Sequence, residues 1–158
     1  MTTTSRWSSP ASAASATKTT KDLGEDGFRN VCRANGWRFT RQRFAVYAFV
    51  RGNRTHPGVD DVLDAVRGQI PNLTRESVFR ILCEFAGAGL ITRLDHLPLA
   101  RFDSCTKPHG HFICARCGKI VDFALPEDFG MPSPISGAKV MSTEVRLSGL
   151  CETCARKG

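Results

Sequence analysis

The chain has 158 residues, a formal net charge of +7 and seven cysteines. That length fits one or two small domains, and no stretch approaches the roughly 18 consecutive apolar residues of a membrane-spanning helix. The N-terminus lacks the apolar core of a secretory signal, so the expectation is a cytoplasmic protein with no membrane partner.

Residues 1–25 are rich in Ser, Thr and Ala without apolar periodicity, and read as a disordered tail. The basic excess follows them. Between Gly27 and Val59 stand seven arginines (Arg29, Arg33, Arg38, Arg41, Arg43, Arg51 and Arg54) and no acid. Such a face suits phosphate contacts, and the bland alternative is a solvated helical surface. Within it, Phe28, Val31 and Cys32 mark a short first helix that Asn35-Gly36 stops. Thr40 is a good N-cap for a second helix, whose stripe is Phe44, Val46, Tyr47, Phe49 and Val50. After the His56-Pro57-Gly58 turn, Val59, Val62, Leu63, Val66 and Ile70 mark a third helix, with Asp60 and Asp61 at its positive N-terminal end. Thr74 caps a fourth helix with Val78, Ile81, Leu82 and Phe85 inward, broken by Gly87 and Gly89.

Leu90–Leu94 and Leu99–Phe102 then read as strands joined by a hairpin link at Asp95–Pro98. Helices followed by such a hairpin describe a winged helix-turn-helix, with the fourth helix as its recognition helix. Its polar start offers Arg75, Ser77, Phe79 and Arg80. Phe79 is an aromatic on the polar side. It either meets bases, for example a thymine methyl, or packs against a neighbouring helix or wing. Lys119–Phe123 and the alternating Lys139–Leu147 read as further strands, while Leu125–Ile135 carries three prolines and limits any helix there to a short one.

The metal-binding residue types gather late in the chain. Cys114-x-x-Cys117 and Cys151-x-x-Cys154 are separated by 33 residues. Two such pairs in a cytosolic chain favour a tetrahedral zinc site that ties the ends of a small sheet together, over free or redox thiols. Gly118 permits the tight turn after the first pair. His109 and His111 alternate on an extended segment and so point the same way. With Asp103, Asp122 and His56, they could form a nitrogen and oxygen site for Fe²⁺, Mn²⁺ or Zn²⁺, or be plain surface and turn residues. A zinc nucleobase deaminase would need H-x-E and P-C-x-x-C, and neither is present. No enzyme and no small-molecule substrate are expected.

Taken together the residues resemble the ferric uptake regulator family of metal-dependent transcription factors. The resemblance runs from about Asn35 to Ala155. Its carriers are G-W-R-F-T-R-Q-R (36–43), H-P-G-V-D-D-V (56–62), P-N-L-T-R-E-S-V-F-R (71–80), G-L-I-T-R-L (89–94), R-F-D (101–103), H-G-H-F-I-C-A-R-C-G-K-I-V-D-F (109–123) and C-E-T-C (151–154). It implies an α+β chain: a winged helix over 26–103, then a small α/β dimerisation domain over 104–158 stapled by a zinc on Cys114, Cys117, Cys151 and Cys154. It also implies a regulatory metal on His56, Asp103, His109, His111 and Asp122. Phe79 and Arg80 fall where the family has a DNA-contacting Tyr-Arg pair. Asp103 resembles the peroxide-sensing branch, in which bound Fe²⁺ lets peroxide oxidise ligand histidines, here His56 or His109.

Two features depart from the family pattern. Residues 124–138 hold prolines and glycines where the family has a long dimer helix. Cys105 stands two residues from Asp103, hence on the same strand face, where a thiolate would draw the second site toward Zn²⁺. The expected function is a metal-responsive repressor that binds operator DNA as a homodimer, through Arg38, Arg41, Arg43, Arg75, Ser77, Phe79 and Arg80. The alternatives are a zinc-stabilised protein-binding adaptor and a degenerate member that binds DNA without metal response.

Overall fold

The computed structural model describes residues 24–95, 97, 99–126, 129, 137–138 and 143–157. The chain divides into two compact units, Met1–Trp37 and Arg38–Gly158. In the first, helix α1 (Glu25–Ala34) buries Phe28 and Cys32, one helical turn apart. Trp37 N–H closes its end on the Cys32 carbonyl at 2.8 Å.

The second unit opens with three helices, α2 (Arg41–Val50), α3 (Val59–Val66) and α4 (Arg75–Gly87). Thr40 caps α2 by accepting from Arg43 N–H, and Thr74 caps α4 by accepting from Ser77 N–H. Val46, Tyr47 and Val50 from α2, Val59, Val62 and Val66 from α3, and Val78, Ile81, Leu82 and Phe85 from α4 fill one core. The Tyr47 and Phe85 rings meet edge to face at 6.1 Å. Each fully buried aliphatic or aromatic side chain contributes about 1.5–3 kcal/mol. Helix α3 stops at Val66, short of Ile70, whose N–H bonds back to the Val66 carbonyl at 2.9 Å.

Strands β1 (Thr92–Leu94) and β2 (Arg101–Asp103) pair antiparallel and carry Leu94 and Phe102 into the same core. Helices α2–α4 with this hairpin make a winged helix-turn-helix. Both strands are shorter than the sequence suggested. In the link between them His96 and Pro98 lie outside the described residues.

The last part is a three-stranded sheet of order β4-β3-β5, from β3 (Gly110–Cys114), β4 (Ile120–Phe123) and β5 (Val145–Gly149). Strand β4 is antiparallel to β3, and β5 is parallel to it. Of the expected strand Lys139–Leu147, residues 139–142 lie outside the described residues. Thr143 and Glu144 are irregular, and the ladder begins at Val145 and runs on to Gly149. Within Leu125–Ile135, only Leu125, Pro126 and Phe129 are described. A short helix α5 (Glu152–Arg156), with Cys151 at its N-cap position, follows the sheet and has no counterpart in the sequence reading.

Gly110 and Phe123 are register partners, so the phenyl ring lies across the glycine on one face. A Cβ at Gly110 would stand 2.6 Å from Phe123 Cε2. Gly110→Ala is therefore expected to cost about 1–3 kcal/mol by displacing that ring. A melting temperature equal to that of the parent would show that the ring yields freely.

Candidate metal centres

The first centre is built by two backbone turns. After Cys114 the chain reverses through Gly118, whose φ of +69° is one that glycine adopts without strain. Gly118 N–H bonds the Cys114 carbonyl at 2.9 Å, which folds the Cys114–Cys117 pair into a knuckle. The second pair sits at the start of α5, one sulfur on the cap residue and one a turn later. Three bonds hold the halves together: Ala115 N–H to Gly149 O at 2.7 Å, Arg116 Nη1 to Cys154 O at 2.7 Å, and Cys151 N–H to Cys114 Sγ at 3.3 Å.

The four sulfurs all lie within 4.8 Å of one another. The Cys117 and Cys151 sulfurs are 3.7 Å apart. Bonds of about 2.3 Å to one tetrahedral zinc put sulfurs about 3.8 Å apart, so the donors fit that ion. Backbone N–H groups of Cys151 and Cys117 point at Cys114 Sγ and pull its thiol down to about 6. Hydrogen bonding with Cys151 and burial push Cys154 the other way. Four thiolates this close need a cation to ionise together.

The second centre draws on four separate segments. His56 comes from the α2–α3 loop, Asp103 ends β2, His109 and His111 flank the start of β3, and Asp122 lies on β4. Register brings the sheet residues together, because His111 pairs with Asp122. The loop is fixed to the wing by Phe102 N–H on the Pro57 carbonyl (3.1 Å) and by Asp61. The Asp61 carboxylate accepts from Gly58 N–H (2.8 Å) and from Arg101 Nη1 (2.7 Å).

Donor atoms of His56, Asp103, His111 and Asp122 all lie within 4.8 Å of one another, and His109 stands beside this group rather than within it. The Nε2 atom of His56 is 2.8 Å from Asp122 Oδ1 and 3.8 Å from Asp103 Oδ1. That of His109 is 2.9 Å from Asp103 Oδ2 and 3.0 Å from His111 Nε2. That of His111 is 3.3 Å from Asp103 Oδ2. Donors held at right angles about 2.1 Å from one cation are about 3 Å apart.

His56, Asp103 and His111 are buried, yet His56 Nε2 and Asp122 Oδ1 have no hydrogen bond despite their short separation. Buried polar atoms left this way point to a missing shared partner. Burial, then the neighbouring His109, lowers the pKa of His111 and keeps its lone pair free. His109 Nδ1 lies 2.7 Å from the Lys107 carbonyl, which orients its Nε2 inward. Imidazoles and carboxylates in this combination are a nitrogen and oxygen donor set that suits a divalent ion.

Cys105 stands outside this group. Strand β2 ends at Asp103, so strand alternation does not reach residue 105. Its N–H donates to Asp103 Oδ1 (2.8 Å) and its thiol turns to the Lys107 carbonyl (3.9 Å). The residue orients a carboxylate and adds no sulfur donor. His56 has φ +52°, a conformation that non-glycine residues seldom adopt. Such strain costs about 1–3 kcal/mol and gathers at functional sites.

The polar face of α4 is also partly engaged. Phe79 is 38% exposed, with the Arg93 guanidinium of the wing 5.5 Å over its ring. Arg75 pairs with Asp60 at 2.8 Å, and Ser77 Oγ meets the Thr74 hydroxyl at 3.1 Å. Arg38 and Arg41 are both exposed. Arg43 differs from them: its guanidinium grips Glu84. Sequence reading missed Glu84 and Arg93, and only their charge beside a helical or strand stripe could have flagged them.

Residues 34–147 match the model of the ferric uptake regulator family. The peroxide operon regulator of Bacillus subtilis is 34% identical over 129 residues, spanning 79% of this chain and 89% of that protein. The peroxide-responsive repressor PerR of Staphylococcus saprophyticus is 33% identical over 137 residues, with 84% and 92% covered. The ferric uptake regulator of Helicobacter pylori, whose structure is described as revealing three functional metal binding sites, superposes with a TM-score of 0.66. Its identity is 25%, over 82% of this chain and 90% of that one.

Proposed function

This chain belongs to the ferric uptake regulator family, and on that premise we propose a metal-responsive, sequence-specific repressor of transcription. Residues 26–103 act as its DNA-binding domain and 104–158 as its dimerisation domain. Cys114, Cys117, Cys151 and Cys154 hold a structural Zn²⁺. His56, Asp103, His109, His111 and Asp122 hold the regulatory ion, Fe²⁺, Mn²⁺ or Zn²⁺. Arg38, Arg41, Arg75, Ser77, Phe79 and Arg80 face the operator.

The observation that carries this reading is the origin of the donors. His56 Nε2 lies 2.8 Å from Asp122 Oδ1, although one rides on the helical loop and the other on the sheet. A divalent ion held there supplies a common charge that fixes the loop against the sheet. Asp61 and Arg101 keep the loop on the wing, so the position of His56 is passed to the helices. In a homodimer the wing-to-sheet angle sets the separation of two α4 helices. Only a separation near one turn of DNA lets both enter successive major grooves. A bound state favoured this way shifts a pre-existing equilibrium by its differential affinity.

The similarity to a peroxide operon regulator and a peroxide-responsive repressor, together with Asp103 of this chain, supports the peroxide-responsive branch. The test is binding to a duplex enriched from a random-sequence pool, with zinc retained throughout. Manganese is expected to tighten binding at least ~10-fold, and peroxide to release the iron-loaded but not the manganese-loaded protein. Affinity indifferent to added metal would overturn the sensor reading. Binding of protein with no salt-dependent binding of DNA would favour the adaptor.

A further inference from the structure

We infer that Arg43 and Glu84 form a positioning pair within the DNA-binding face, and that Arg43, despite its place in an arginine-rich run, does not contact phosphate. The inference rests on the regulator reading above and deepens it.

Three guanidinium nitrogens of Arg43 are engaged. Nε and Nη2 donate to Glu84 Oε2 at 3.1 and 2.7 Å, and Nη1 donates to the Arg38 carbonyl at 3.0 Å. The side chain is only 14% exposed, whereas Arg80 is 62% exposed. Reaching a phosphate would strip Glu84 of its main partner, and leaving a partly buried charge unpaired is costly. Glu84 sits between two arginines. One of its oxygens holds Arg43 of α2, and the other lies 3.4 Å from Arg80 Nη1, one turn earlier on α4. An acid on a basic face repels DNA. Here its geometry serves placement instead, fixing the Arg38–Arg41 segment relative to Arg80. Arginine is suited to this because its planar fork offers several donors in fixed directions, which a lysine ammonium does not.

The test separates placement from charge. Arg43→Lys keeps the charge and loses the fork. Arg43→Lys and Glu84→Gln are each expected to weaken binding to the enriched duplex about 5- to 10-fold. The double variant should be no weaker than the weaker single one, as for two residues acting as a unit. The slope of log affinity against log salt should stay at the parent value in all three, and also in Arg43→Gln, which removes the charge. Arg41→Gln serves as comparator, and its slope should fall by about 0.9 for the one phosphate it no longer neutralises. All variants are assayed well below their melting temperatures. Parent affinity in Arg43→Lys, additive single effects, or a fall in slope for Arg43→Gln equal to that of Arg41→Gln would overturn the pair. If the parent protein binds no duplex at all, the regulator reading itself fails, a distinct outcome that removes this inference as well.

Discussion

Cys114→Ser is expected to remove the tightly held zinc, from about one ion per chain to near none, and to unfold the sheet that depends on it. Cys114 is buried at the end of β3 and accepts Cys151 N–H at 3.3 Å, so its sulfur joins the central strand to the start of α5. The sheet has little else to rely on. It holds three short strands, and Val121, Leu147 and Leu150 are 41–52% exposed. Structural zinc contributes about 10–16 kcal/mol in small zinc-dependent peptides, comparable with the whole stability of a domain. Serine cannot replace the thiolate. The variant should lose far-ultraviolet ellipticity from the sheet and melt more than ~10 °C lower. It should also lose the second metal, because His111 and Asp122 meet only through the β3–β4 register. Full zinc content with an unshifted melt would show that the cysteines are plain thiols.

His111→Ala has a different expected signature. The zinc should remain, while affinity for manganese falls at least ~100-fold, since even the partners of metal ligands are worth about 10- to 100-fold. His111 is the best placed residue for this test. Its Nε2 lies close to both His109 and Asp103, and it sits on the central strand rather than on the loop. DNA affinity should become independent of added manganese. The control is Cys105→Ser, expected to leave manganese affinity within about twofold because its thiol faces the Lys107 carbonyl. Retained manganese response in His111→Ala would remove this histidine from the sensor. A loss of response in Cys105→Ser would return the sulfur to it.

The helices were legible because their buried stripes obey the 3.6-residue period, and Thr40 and Thr74 mark their starts as capping chemistry requires. The cysteine site was legible from paired spacing. The histidine site was only half legible. His109 and His111 announce themselves on one strand, but nothing local near His56 says that a loop will carry it to Asp122. That follows from Asp61, Arg101 and Pro57, which hold the loop to the wing. Cys105 misled because period-two alternation was extended past the true end of a strand. The pairing of Arg43 was not legible in the basic run, because its partner Glu84 is 41 positions away. Charge counting sees a helix face and not the helix opposite. Helix α5 escaped because five residues give no periodicity.

The parallel pairing of β3 with β5 bears on how the chain assembles. Strands β3 and β4 are joined by a tight turn, so they can zip locally in about 1–10 μs. Strand β5 cannot, because the whole of β4 and residues 124–144 separate it in sequence from β3. It reaches β3 only after residues 124–144 have been looped out, an entropic cost borne before any pairing repays it. Cys114 and Cys151, 37 positions apart, stand at the opposite end of the sheet from Phe123 and Val145, which flank that segment. A zinc held first by the Cys114–Cys117 knuckle would capture the second pair and turn a slow search into a tethered one. The ion that stabilises the finished sheet would then also set the order in which it is built.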